Sequence, residues 1–121
     1  MDEIGERGRE PVLRVVFYRT EVGNEPVRQW LKGLDQVDRK AVGEDIKTAQ
    51  YGWPLGMPLI KKLENGLWEV RSHVSQGIAR VVFTVVGGTM VLLHGFIKKT
   101  QKIPSADLKT ARRRWAALSK E

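Results

Sequence analysis

The sequence predicts an α+β domain in which a strand and two helices precede a three-stranded antiparallel meander and a closing helix, in the order β-α-α-β-β-β-α. Three observations carry that expectation. Residues 67–97 hold three runs rich in Val, Ile, Leu and Phe, separated only by short turn-forming stretches. Residues 24–52 space apolar side chains by three and four, the helical period. The last stretch, PSADLKTARRRWAALSKE, opens on Pro and Ser and repeats Leu108, Ala111, Trp115 and Leu118 at helical intervals.

Residues 1–10, MDEIGERGRE, are charged and hold no apolar run. They read as a flexible arm ahead of a single domain over 11–121, and not as a secretion signal. VLRVVFYR, Val12 to Arg19, is a strand by its β-branched and aromatic content. In GNEPVRQWLKGL, Asn24 is the expected N-cap, Pro26 suits the first turn, and Val27, Trp30, Leu31 and Leu34 share a face. Asp35 is expected to cap a second helix whose buried face holds Val37, Ala41, Ile46 and Ala49. The two helices should form an antiparallel hairpin. YGWPLGMPLIKKLENG, punctuated by Gly and Pro, reads largely as loop. Strands are expected over Leu67–His73, Ile78–Val86 and Thr89–Ile97, with Gly87–Gly88 as a two-residue hairpin turn and Ser75–Gly77 as the other turn. The first strand must return to this sheet across the helical hairpin, and the helices are expected on one sheet face.

A chain of 121 residues suffices for one modest core. It has no cysteine, which excludes disulfides, thiolate metal sites and cysteine nucleophiles and fits a cytoplasmic location. No apolar run approaches the ~18 residues of a membrane span. No metal-ligand spacing or Gly-rich phosphate loop is present, so neither a metal nor a small-molecule cofactor is expected. The net charge is +7 and is unevenly placed. Residues 1–60 carry nine Lys/Arg against ten Asp/Glu, and residues 61–121 carry twelve against four. The whole excess lies in the second half, which points to a polyanionic partner.

Strand parity gathers that charge. In LWEVRSH, Trp68 and Val70 point one way, toward the helices, while Glu69, Arg71 and His73 point the other, onto an open face. Arg80 lies near the start of the next strand, flanked by apolar residues and so half-buried. Lys98 and Lys99 leave the end of the strand beside it, and Lys61 and Lys62 enter before the Arg71 strand. Such a cluster suits RNA cleavage. The 2′-hydroxyl is itself the nucleophile there, and the protein need only align it and neutralise charge on the transition state. Arginine suits phosphate because its planar fork binds two oxygens. Glu69, with two positive neighbours lowering its pKa, serves as a base or as an orienter of Arg71 or Arg80. His94 is the other candidate for proton transfer. Blander readings exist for each: a solvated ion pair for Glu69 and Arg71, solvated strand-end charge for Lys98 and Lys99, a structural role for His94. Arg112–Arg114 read mostly as an exposed helix face, and the four tryptophans as core.

The segment KKLENGLWEVRSHVSQGIARVVFTVVGGTMVLLHGFIKKTQKIP resembles the phage-derived HigB-like toxins of the RelE/ParE superfamily. The motifs that carry this are the Lys-rich entry, LWE followed by a hydrophobic residue and Arg, the R-V-hydrophobic-F run, and LLHGF-x-KK-T-x-K-x-P. The resemblance implies a RelE-like fold and the toxin of a type II toxin–antitoxin system: a metal-independent endoribonuclease that cleaves mRNA on the ribosome and so inhibits translation. It implies a small helix-turn-helix antitoxin, HigA-like, as partner. By position, Arg80 matches the phosphate-binding arginine, Arg71 a basic residue lining the cleavage site, and Lys98 and Lys99 the basic pair after the last strand. Lys61, Lys62 and Lys102 fall where lysines contact RNA. Glu69 falls where some relatives carry a basic residue. The chain departs from the pattern in one respect: relatives often place a catalytic Tyr or His near or beyond the final strand, whereas the tyrosines here, Tyr18 and Tyr51, come early. His94 is the candidate replacement. Two other readings remain open: a ParE-like inhibitor of DNA gyrase, and a non-catalytic RNA- or ribosome-binding domain.

Overall fold

The computed structural model describes residues 10–98 and 102–118, so of the expected N-terminal arm only Glu10 lies within it. The elements are β1 (Arg14–Phe17), α1 (Pro26–Lys32), α2 (Gln36–Gly52), β2 (Ile60–Glu64), β3 (Leu67–Val74), β4 (Gly77–Val86), β5 (Thr89–Lys98) and α3 (Ser105–Leu118). The strands form one mixed five-stranded sheet in the order β1-β5-β4-β3-β2. Strands β2 to β5 are an antiparallel meander, and β1 returns beside β5 in parallel, Arg14 aligned with Thr89.

Two turns show how sequence sets this topology. Gly87 and Gly88 both have positive φ, 51° and 79°, as a tight hairpin of the primed type requires. Gly66, at φ 88°, turns β2 into β3 after Asn65. Strand β2 corrects the expectation of loop over this stretch. Lys61 and Lys62 break the β-branched pattern, but their backbone pairs with Glu69 and Trp68 at the sheet edge, where charge is well solvated.

The helices cap both sheet faces, not one. On the first face α1 packs chiefly on β5 and α2 chiefly on β3. Val27, Val42, Ile46 and Ala49 meet Val70, Val81, Phe83 and Leu92 there. Trp30, Trp53 and Trp68 pack against this core, with Trp53 edge-on to Trp68 at 5.0 Å and to Phe83 at 5.6 Å. Burial of each large apolar side chain contributes about 1.5–3 kcal/mol. On the second face α3 lays Leu108, Ala111, Trp115 and Leu118 against Leu67, Val82, Val91 and Leu93. A strand buried on one face cannot leave the other bare when its residues there are also apolar.

Helix details confirm and correct the sequence reading. Asp35 caps α2, its carboxylate accepting from the Asp38 backbone N–H at 2.9 Å. Glu25, not Asn24, is the N-cap residue of α1, because the Asn24 backbone is already engaged with Thr20 in the preceding turn. Val37 is exposed, since the buried stripe of α2 runs through Asp38, Val42, Ile46 and Ala49. Asp38 uses that position to accept hydrogen bonds from the Ser75 backbone and hydroxyl, tying α2 to the β3–β4 turn.

Candidate functional site

The second sheet face carries the polar cluster. In register, Lys61 of β2 lies opposite Glu69 of β3, Arg71 lies opposite Arg80 of β4, and Arg80 lies opposite Phe96 of β5. Glu69, Arg71 and Arg80 therefore share the face opposite to Trp68 and Val70, as strand parity predicts. His94 joins them by an irregularity. The β4–β5 ladder pairs Phe83 with Leu92 and Val82 with His94, skipping Leu93. This bulge puts Leu93 and His94 on the same side and carries the shifted alternation through Phe96 to Lys98. Gly95 then points to the other face, against Trp30, where a Cβ would lie 2.4 Å from the indole ring.

The cluster is sealed, which corrects the expectation of an open face and a half-buried Arg80. Glu69 and Arg80 have 0% relative exposure, and the Arg71 side chain 8%. Arg71 Nε stands 3.6 Å from Glu69 Oε2. Burial pushes the Glu69 carboxyl above its ordinary range, against the opposing pull of Arg80, Arg71 and Lys61. The expected lowering by positive neighbours is thus outweighed by desolvation. Burial likewise pushes the Arg80 guanidinium down, with Glu69 opposing and Arg71 adding to the shift. An arginine so placed still carries its charge.

Helix α3 holds His94 from above. His94 Nε2 is 2.7 Å from Asp107 Oδ1, and Arg114 NH1 is 3.4 Å from Nδ1 while donating to the Leu93 carbonyl at 2.7 Å. The consistent tautomer has Nε2–H donating to Asp107 and Nδ1 accepting from Arg114. The imidazole stacks on Phe96 at 5.5 Å, and the Arg80 guanidinium carbon lies 6.0 Å from the centre of the Phe96 ring. Both ring nitrogens are engaged, so His94 can move a proton only by exchanging one of these contacts. Arg112 and Arg113 are exposed, whereas Arg114 turns inward, where burial pushes its guanidinium down. Arg112 clasps Glu64 with two nitrogens, NH2 at 2.6 Å from Oε1 and Nε at 3.0 Å from Oε2. That contact holds the Glu64 carboxyl below its ordinary range.

The remaining predicted residues divide. Lys61 is half-buried and Lys98 exposed, both on the register of this face. Lys62 is exposed and in register with Trp68, so it belongs to the opposite face. Lys102 is exposed in the segment before α3. Lys99 lies outside the described residues. Asp107 and Arg114 escape sequence reasoning because they sit on the helix, far from the strand motifs. Their separation of seven residues, two helical turns on an otherwise apolar stripe, is the signal that could have found them. Among the described residues no group of three His, Asp or Glu side chains is arranged to hold a metal, and no helix is long and apolar enough to cross a membrane.

An α+β sheet domain with a buried arginine–carboxylate cluster on one sheet face, beside a histidine clamped by the closing helix, is the class that the fold and site define. Residues 29–116 match the family model described as phage-derived protein Gp49-like (DUF891), and the chain belongs to that family. The family is generally linked to toxins of toxin–antitoxin systems and is usually one half of such a pair. No curated protein matches the chain.

Proposed function

We propose that this chain is the toxin of a type II toxin–antitoxin pair, with a RelE-like fold, HigB-like in kind, and that it cleaves mRNA on the ribosome without a metal. The observation that carries the reading is the register-matched meeting of Arg71 and Arg80 on one sheet face, with Lys61 and Lys98 on the same face at greater exposure. These more accessible lysines draw in the RNA backbone. The guanidinium groups neutralise charge as the 2′-oxygen attacks the adjacent phosphorus. The 2′-O–P bond forms, the bond to the 5′-oxygen breaks, the 2′-hydroxyl proton leaves to a base, and the 5′-oxygen gains one, giving a 2′,3′-cyclic phosphate and a 5′-hydroxyl. Arg80 has no exposed surface in this conformation, so its contact with phosphate requires the site to open as RNA binds. The partners on this reading are mRNA, the ribosome and a HigA-like helix-turn-helix antitoxin, all in the cytoplasm.

The test is induced expression with mapping of mRNA 5′ ends, beside Arg71→Ala and Arg80→Lys variants. New 5′ ends at codon boundaries, dependent on ribosomes and lost in both variants, support the reading. Inhibited DNA supercoiling with intact mRNA would assign the chain to gyrase poisoning. Salt-dependent RNA binding without growth arrest would reduce it to an adhesion domain.

A further inference from the structure

We infer that Glu69 is a positioning residue, the buried counter-charge that seats the Arg71 and Arg80 guanidinium groups side by side as one preorganised fork; the inference rests on reading this face as an RNA-phosphate clamp. Arg71 and Arg80 are directly opposed across β3 and β4. Like charges in that relation repel, and here little water is present to screen them. Glu69 stands two residues from Arg71 on the same strand and the same face, its Oε2 3.6 Å from Arg71 Nε. Among the described residues neither carboxylate oxygen accepts a hydrogen bond, so its charge is not spent on a backbone cap. Across the ladder Glu69 faces buried Val82 on one side and half-buried Lys61 on the other, so the carboxylate stands among three cations at a site where a buried charge carries a cost.

Proton transfer explains the position poorly. A base must come within roughly 2.6–3.2 Å of the hydroxyl it deprotonates. Glu69 is fully buried with its Oε2 3.6 Å from Arg71 Nε, so a ribose hydroxyl that reaches it once the site opens has to compete with that ion pair. Its reach is to the cations beside it. A carboxylate there fixes where two planar forks point before substrate arrives, which is the arrangement that makes charge stabilisation effective.

The experiment compares wild type, Glu69→Gln and Glu69→Asp by the NMR signals of the arginine Nε–Hε groups and by single-turnover cleavage of ribosome-bound mRNA. The proposal expects Glu69→Gln to keep the backbone amide spectrum while the Arg71 and Arg80 side-chain signals broaden or move. Cleavage should slow at least about tenfold with its dependence on ribosome concentration little changed, and Glu69→Asp, which restores the charge on a shorter arm, should recover part of both. Arginine signals unchanged in Glu69→Gln would overturn the proposal, and a lost acid limb in the pH–rate profile with those signals unchanged would assign Glu69 to proton transfer instead. Should Glu69→Gln fail to fold, Glu69→Asp decides, since unaltered arginine signals with a retracted carboxylate also overturn it. Should wild type cleave nothing, the nuclease reading fails, yet the arginine signals still decide the role of Glu69.

Discussion

The two faces of the sheet use the same strands for opposite ends. Toward α1 and α2, alternate residues of β3, β4 and β5 are Val70, Val81, Phe83 and Leu92, a dry apolar layer closed by three tryptophans. Toward α3, the intervening residues begin as Leu67, Val82, Val91 and Leu93 but give way to Glu69, Arg71, Arg80 and His94. The difference teaches that a purely apolar layer and a charged cluster are separated here by the period-two alternation of a strand, not by distance along the chain. A substitution can therefore strike one face while its neighbour in sequence belongs to the other.

The largest effect expected is on the first face. Phe83→Ala should cost about 3–5 kcal/mol of folding free energy, read from the urea midpoint, because the ring is fully buried between Trp53 and Trp68. A loss below 1 kcal/mol would mean that this face is not the main core. Next comes Arg80→Lys, which keeps the charge but removes the fork. It should raise the cleavage barrier by about 2–4 kcal/mol, roughly 100-fold or more in rate. Lysine suits this buried position better than alanine, which would leave a cavity and an unmatched carboxylate. If Arg80→Lys and Arg71→Ala both cleave at wild-type rate, the second face is not the site.

Gly95→Ala should destabilise by about 1–3 kcal/mol, since its Cβ would enter the Trp30 ring. Because Gly95 sits between His94 and Phe96, it sharpens the comparison: a change on the stability face should also slow cleavage by shifting those two rings. The smallest effects are in pH dependence, where two glutamates pull in opposite directions. Glu64 is held below its ordinary range by Arg112, so its contribution is present above the usual carboxylate pKa and lost as pH falls through the lowered value. Glu69 is raised by burial, so its contribution is full below the usual pKa and lost as pH rises through the raised value. Arg112→Ala should flatten the loss of stability in acid, only slightly because the pair is exposed, and Glu69→Gln should flatten the decline above it. Urea midpoints measured from pH 3 to pH 7 separate the two; identical profiles in both variants would contradict the assignment.

The meander, the Gly87–Gly88 turn, the Asp35 cap and the apolar stripe of α3 were legible because each follows from local chemistry: period, turn residue or cap. The four tryptophans were legible as core. The placement of β2 was hidden by its charged edge residues, although Asn65–Gly66 is a hairpin signal. Alternation put Glu69 and Arg71 on one face correctly. It could not reveal how deeply that face is buried, so the burial of Glu69 and the direction of its pKa shift were lost with it. His94 was legible as a candidate and not as a clamped side chain, because the bulge at Leu93 is a property of pairing, and Asp107 and Arg114 reach it from another element.

The parallel pairing of β1 with β5 also orders events in time. Arg14, among the first residues of the domain to be translated, finds its sheet partner only at Thr89. Until then the opening strand must wait unpaired while the helices and the meander form around its future berth. Since α3 follows β5, a nascent chain cannot close its sheet until the whole meander has been made, and the Asp107 and Arg114 contacts that clamp His94 come later still.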